Sequence, residues 1–267
     1  MATYEDIESL HRKVHEASGK LFSAECALAE EAISSSFGSY AAIAKGGKLG
    51  AKSQHLLALF YRNCVYLSAA YELMRRGMLD PAGNNLRTVF ETIVWQYAIL
   101  CDGEVYANIE DIDALEGQKL ALVRSKKWSN TKERELENLR RKHNFQKVMK
   151  KLYSKEVFER FFFNQYWALC QKSHASVFGA NNNTPNMEGG TTIEKRPEEL
   201  KGNLFALLYL CAENLTCFLN CFSTECGHER TAALLALANR INKSVPPALG
   251  LAPDTKALEF IVRFREV

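Results

Sequence analysis

Apolar residues in the first part of the chain recur every three or four positions. Ile7, Leu10, Val14, Leu21, Leu28 and Ile33 predict one long helix over residues 4–35, stopped by Ser34, Ser35, Ser36 and Gly38. GGKLG at 46–50 predicts a linker or tight turn. A second helix follows over about 51–76, with Leu56, Leu59, Phe60, Cys64, Leu67, Tyr71 and Met74 on one stripe and a stop at Gly77. Asp80 and Pro81 form an N-cap and first-turn pair for a third helix, NNLRTVFETIVWQYAIL.

Beyond Asp102 the polar share rises. Residues 104–128 and 130–151 predict two charged helices, and 155–178 predicts a helix dense in aromatic side chains. GANNNTPNMEGGTTIEKRP at 179–197 has little to bury and predicts a loop. Residues 198–224 are apolar nearly all round, as in a central or oligomer-facing helix, and 229–243 predict a shorter one. The pattern is that of an all-α, multi-helix bundle over residues 51–245, with residues 1–45 as a helical arm and 246–267 as a tail.

Composition agrees with a folded helical chain: 47% of the 267 residues are apolar, with only six prolines. The start MATYEDIESLHRK has no secretory pattern. No uncharged apolar stretch reaches the roughly 18 residues of a membrane span. A soluble, cytoplasmic protein without a membrane partner is expected, and its eight cysteines are expected to be mostly reduced core thiols. The net charge of +3 excludes a strong whole-chain preference for nucleic acid.

Charge is nevertheless uneven. Residues 124–151 hold eleven Lys and Arg against three Glu, a local excess of +8, with Trp128 and RRKHNFQ alongside. Such a segment is either a phosphate-binding surface or a solvated hairpin held by pairs such as Glu133–Arg134 and Glu137–Arg141. In the third helix Arg87 lies at the margin of the apolar arc, one turn before Glu91, so a structural ion pair or half of a site is expected there. YWALCQKSHASVFG places Tyr166 and Ser173 in an apolar stripe with His174 at its rim. If the two helices pack, Arg87, Glu91, Ser173 and His174 converge.

LRTVFETIV on one helix and a Tyr-rich helix ending in Ser-His resemble a set of bacterial all-helical proteins related to the HEPN superfamily (higher eukaryotes and prokaryotes nucleotide-binding). Its members include ribonuclease toxins and abortive-infection proteins of antiviral defence. The resemblance spans residues 51–180 and implies a HEPN-like bundle acting on RNA without a metal ion. Arg87, Glu91 and His174 would be catalytic, and Tyr166, Ser173, Arg140, Arg141 and Lys142 would hold substrate. In active HEPN domains four to six residues separate Arg from His on one helix. Here Arg12 and His15, and Arg140 and His143, are three apart. The competing expectation is a non-enzymatic interaction or assembly subunit binding a protein partner. An antitoxin or similar partner and a homo-oligomer are expected with the first.

No cofactor is expected, because the chain lacks a P-loop, a dinucleotide glycine motif, a nucleophile elbow and a carboxylate-rich metal motif. Cys217, Cys221, Cys226 and His228 follow no common zinc spacing and continue an apolar run, so they read as core. Glu8, His11 and His15 share one helix face and read as polar surface.

Overall fold

The computed structural model describes residues 4–123, 128–152 and 197–245, and these are helical with short connections. The elements are α1 (Tyr4–Leu21), α2 (Ser23–Gly46), α3 (Ala51–Arg75), α4 (Leu79–Cys101), α5 (Gly103–Val123), α6 (Asn130–Lys142), α7 (Phe145–Leu152), α8 (Pro197–Cys226) and α9 (His228–Ser244). The fold is an all-α, multi-helix bundle. Two compact units divide the described residues: 4–93 with 197–245, and 94–123 with 128–152, so the boundary falls inside α4.

The first unit is built on α8. That helix is apolar enough in length and composition to cross a membrane, yet 67% of its most apolar window is buried within the protein. It packs against α2, α3 and α9. Leu204, Leu207, Leu208, Cys211, Leu215, Phe218 and Phe222 are almost fully buried. The Phe218 ring lies 4.4 Å from Phe60 of α3 and 5.3 Å from Phe222, where the backbone leaves helical geometry. Asn214 sits among these apolar groups and accepts a hydrogen bond from Asn63 Nδ2 of α3 at 3.0 Å. A buried amide pair is stable only while both members meet, so it fixes the axial register of α3 on α8.

The predicted 4–35 helix is two helices. Phe22 leaves helical geometry (φ −125°, ψ 41°) and turns its ring into the core. The hydrogen bonds from Phe22 N to Ser18 O and from Cys26 N to Phe22 O continue across the break, and the Ser18–Gly19 pair stands within one turn before it. The predicted stop at Ser34–Ser36 and Gly38 does not occur, and α2 runs on to Gly46. Ser36 and Ser39 donate back to the carbonyls of Ala32 and Ser35, at 2.8 and 2.7 Å, so their hydroxyls are satisfied inside the helix. The small residues Ala29, Ala32, Ser36 and Ser39 form a buried face on α2, which lies against α3, α8 and α9. Gly77, at φ 76°, makes the turn between α3 and α4. α4 starts at Leu79, so Asp80 lies in its first turn rather than before it.

In the second unit the predicted 130–151 helix is interrupted. His143 takes φ −125° and ψ 71°, and Asn144 starts α7 by accepting from Lys147 N at 2.9 Å. Ser129 does the same for α6 through Lys132 N. Asn108 of α5, only 3% exposed, donates to Leu139 O of α6 at 3.2 Å.

Phe218→Ala removes the ring that joins α8 to α3. It is expected to lower unfolding stability by about 3–5 kcal/mol, read as a shift in the urea midpoint with an unchanged slope.

Candidate functional site

Arg87 and Glu91 occupy the least buried side of α4, next to the exposed Asn84 and the half-buried Thr88. The opposite sides bury Leu86, Val89, Phe90 and Ile93. Arg87 Nε donates to Glu91 Oε1 at 2.9 Å, with the two side chains 25% and 33% exposed. The pair predicted from the i, i+4 spacing therefore forms, at the border between core and surface. A carboxylate on Nε fixes the plane of the guanidinium, as recognition of a phosphate or a carboxylate requires. Tyr166, Ser173 and His174, the other members of the predicted site, lie outside the described residues.

Arg140, Arg141 and Lys142 form the last turn of α6. The cations of this segment meet acids that their own stretch of sequence does not contain. Arg140 pairs with Glu116 at 2.7 Å and Lys142 with Glu104 at 3.9 Å, both acids from α5, while Arg141 reaches Glu137 at 3.6 Å. Lys151 binds Asp102 and, with the backbone N–H of Glu104, holds that carboxyl below its usual range. Glu133 engages Lys119 at 2.7 Å and the Trp128 indole N–H at 2.6 Å rather than Arg134. Lys119 and Lys132 stand 6.0 and 5.8 Å from the centre of the Trp128 ring. Over residues 94–152 the chain carries twelve Lys and Arg against nine Asp and Glu, so the excess of +8 falls to +3. Arg140, Arg141 and Lys142 still leave half or more of their side chains exposed.

A cluster absent from the sequence analysis lies where α1, α2 and α3 meet. Arg75 is a buried cation near the end of α3, 9% exposed. Its Nη1 donates to the Tyr71 hydroxyl at 2.7 Å and lies 3.6 Å from Glu30 of α2. Its Nη2 reaches the carbonyl and Nδ1 of His15 on α1, both at 3.3 Å. Tyr71 passes its proton toward Glu30 Oε1 at 2.5 Å. A Cβ on Gly19 would stand 2.9 Å from Arg75 Nη2, so glycine is what lets the guanidinium lie against α1. Burial, together with the bond to Glu30, pushes the Tyr71 hydroxyl up, which keeps it neutral as a donor. The Nε atom of Arg75 is buried with no hydrogen-bond partner among the described residues. One signal was available, Tyr71 and Arg75 at i, i+4, but Arg75 and Arg76 before Gly77 look like ordinary basic residues at a helix end.

Four of the described thiols are the reverse of activated. Burial pushes Cys64 up to about 12 and moves Cys26, Cys211 and Cys226 upward as well, the opposite of an activated thiolate. No group of three or more His, Cys, Asp or Glu placed to hold a metal ion occurs among the described residues.

A protein family described as one of unknown function, DUF5677, matches residues 54–190. The chain belongs to that family. Neither a curated protein nor a solved structure matches it. The DUF5677 span includes Tyr71, Arg75, Arg87, Glu91 and the last turn of α6. His15, Gly19 and Glu30 fall before it. The Arg75 network therefore ties a family element to helices that the DUF5677 match does not cover.

Two outcomes are expected. Tyr71→Phe takes an acceptor from a buried guanidinium and lowers stability by about 1–3 kcal/mol. In an Arg75→Met background the same change costs much less, and a double-mutant cycle by urea denaturation reads the difference. Because the Cys64 value is raised on folding, its contribution is complete below the ordinary 9.0 and is lost as pH rises toward about 12. Urea midpoints between pH 9.0 and 10.0, below the ordinary tyrosine value, should fall less steeply in Cys64→Ala than in the wild type.

Proposed function

We propose that this DUF5677 protein is a HEPN-like, cytoplasmic protein of the antiviral-defence or toxin type that binds RNA and cleaves it without a metal ion. The observation that supports this is the Arg87–Glu91 pair: an arginine side chain three-quarters buried, its Nε held by the carboxylate at 2.9 Å on the most open side of an otherwise buried helix. A cation held in a fixed plane stabilises the extra charge on phosphorus when a ribose 2′-hydroxyl attacks. His174 is the general base on that hydroxyl or the acid to the leaving 5′ oxygen, and Ser173 and Tyr166 position the substrate. Arg140, Arg141 and Lys142 make a separate electrostatic contact with the RNA backbone. A protein antitoxin belongs to the same proposal.

A second reading, a helical interaction or assembly subunit without catalysis, is favoured by one finding. The acids of α5 neutralise much of the charge that the basic segment displays in the sequence.

Purified full-length protein is expected to cleave single-stranded RNA in the presence of a chelator. Arg87→Ala and His174→Ala should each lower the rate by about a hundredfold or more while their thermal unfolding stays close to wild type. A wild type that cleaves nothing, with both variants merely less stable, leaves the assembly reading standing. Arg140→Glu, Arg141→Glu and Lys142→Glu together should weaken RNA binding and flatten its dependence on salt. Wild-type binding that does not respond to salt overturns the RNA proposal.

A further inference from the structure

The connection between α5 and α6 carries a tryptophan whose ring is held in place and only half-buried. Ser129 caps α6 by accepting from Lys132 N, which sets the backbone just after Trp128. From there the indole reaches the first turn of α6, where its N–H donates to Glu133 Oε2 at 2.6 Å. The other oxygen of that carboxylate takes Lys119 Nζ of α5 at 2.7 Å, so Glu133 ties both helices to the ring. These two donors, Lys119 first, hold the Glu133 carboxyl below its usual range, and the clasp stays ionised at neutral pH. Leu115 and Leu136 of the same two helices are buried, at 9% and 0% exposure, while the indole is oriented by an ion pair. Two cations border the ring, Lys119 Nζ at 6.0 Å and Lys132 Nζ at 5.8 Å from its centre. That is the outer limit of a cation–π contact, and each ammonium has an oxygen of its own. Glu133 balances Lys119. Lys132 donates to Gln118 Oε1 at 2.7 Å, a neutral acceptor, so that bond does not cancel its charge.

We infer that Trp128 is a stacking platform for one unpaired base of an RNA strand, with Lys132 on a phosphate beside that base. The inference rests on the RNA reading above and adds the place where a base is held. The chemistry selects a single strand, because bases in a duplex are already stacked on both faces whereas an unpaired base offers its π-face to an aromatic ring. An apolar peptide would cover the ring but leave Lys132 without an anion, and a free phosphate would leave the ring uncovered. Every base has a π-face, so this contact carries no sequence preference. Glu133 already fixes the indole, so little side-chain freedom is lost when a base stacks on it. Arg140, Arg141 and Lys142 lie at the other end of α6. Lys142 is ten residues from Lys132, about 15 Å along the axis, so the two contacts with the strand can be removed separately.

Fluorescence anisotropy on the full-length protein tests it with two fluorescein-labelled strands of equal length. Both carry 2′-O-methyl riboses, so that no 2′-hydroxyl can attack. One is an oligouridylate, and the other has abasic riboses throughout and offers phosphates alone. Trp128→Ala should weaken oligouridylate binding by about tenfold and leave the affinity for the abasic strand at the wild-type value. Trp128→Phe, which keeps a π-face, should stay within about threefold of wild type on both strands. Lys132→Ala should weaken both strands alike and lower the salt slope by about one. If Trp128→Ala loses both strands in equal measure, the tryptophan serves the fold alone and the inference is overturned. It is overturned too if Trp128→Ala and the wild type bind the oligouridylate equally well, a result that leaves the RNA reading standing. A wild type that binds neither strand overturns both together.

Discussion

Because α8 is apolar on nearly every side, it can be stable only when other helices surround it, and the arrangement of the first unit follows from that requirement. α2, α3 and α9 supply the cover. Each does so with a different surface: small residues on α2, Phe60 and the neighbouring aliphatic residues on α3, and Leu234, Leu237, Ala238 and Ile241 on α9. Apolar contact alone would let a helix slide or turn by a step, since one leucine resembles another. The Asn63–Asn214 bond removes that freedom between α3 and α8, because any slip leaves two amides buried without each other. An ion pair between Arg240 and Glu31 adds a surface tie between α9 and α2.

The two arginines near the α3–α4 turn illustrate how environment decides what one side chain can do. Arg75 is closed in by Tyr71, Glu30 and His15, and its acceptors come from three helices. A cation so placed holds elements together and has little room to meet a ligand. Arg87 has its carboxylate on the same helix, one turn away, and stands where α4 is least covered. The first is a clasp built from long-range contacts. The second is a local device that leaves the orientation of one guanidinium defined.

How much of this was legible in the sequence depends on the reach of each interaction. The Arg87–Glu91 pair is local, an i, i+4 contact on a periodic helix, and spacing alone was enough to find it. The stripes of α3 and α8 were equally readable, since three- and four-residue periodicity reports burial directly. The break at Phe22 was not, because its hydrogen bonds run on and Gly19, the glycine nearest it, sits inside an apolar stripe that continues from Val14 to Leu28. Ser34–Ser36 and Gly38 suggested a stop only while the packing that favours small residues on α2 was unknown. The basic segment misled for a similar reason: Glu104 and Glu116 lie on another helix and come into play only once α5 and α6 are side by side. Arg75 was hidden by resembling a routine helix end, and its partners Glu30 and His15 are 45 and 60 residues away. Tyr166, Ser173 and His174 lie outside the described residues.

The Arg75 network also bears on what the family match defines. The matched span opens at residue 54, three residues into α3, and closes at 190, before α8 begins. It takes in the guanidinium but neither the glutamate nor the histidine that hold it, and Asn63 but not Asn214. Among the described residues the matched stretch is therefore not self-contained: its arginine and its asparagine are held by residues that lie on either side of it.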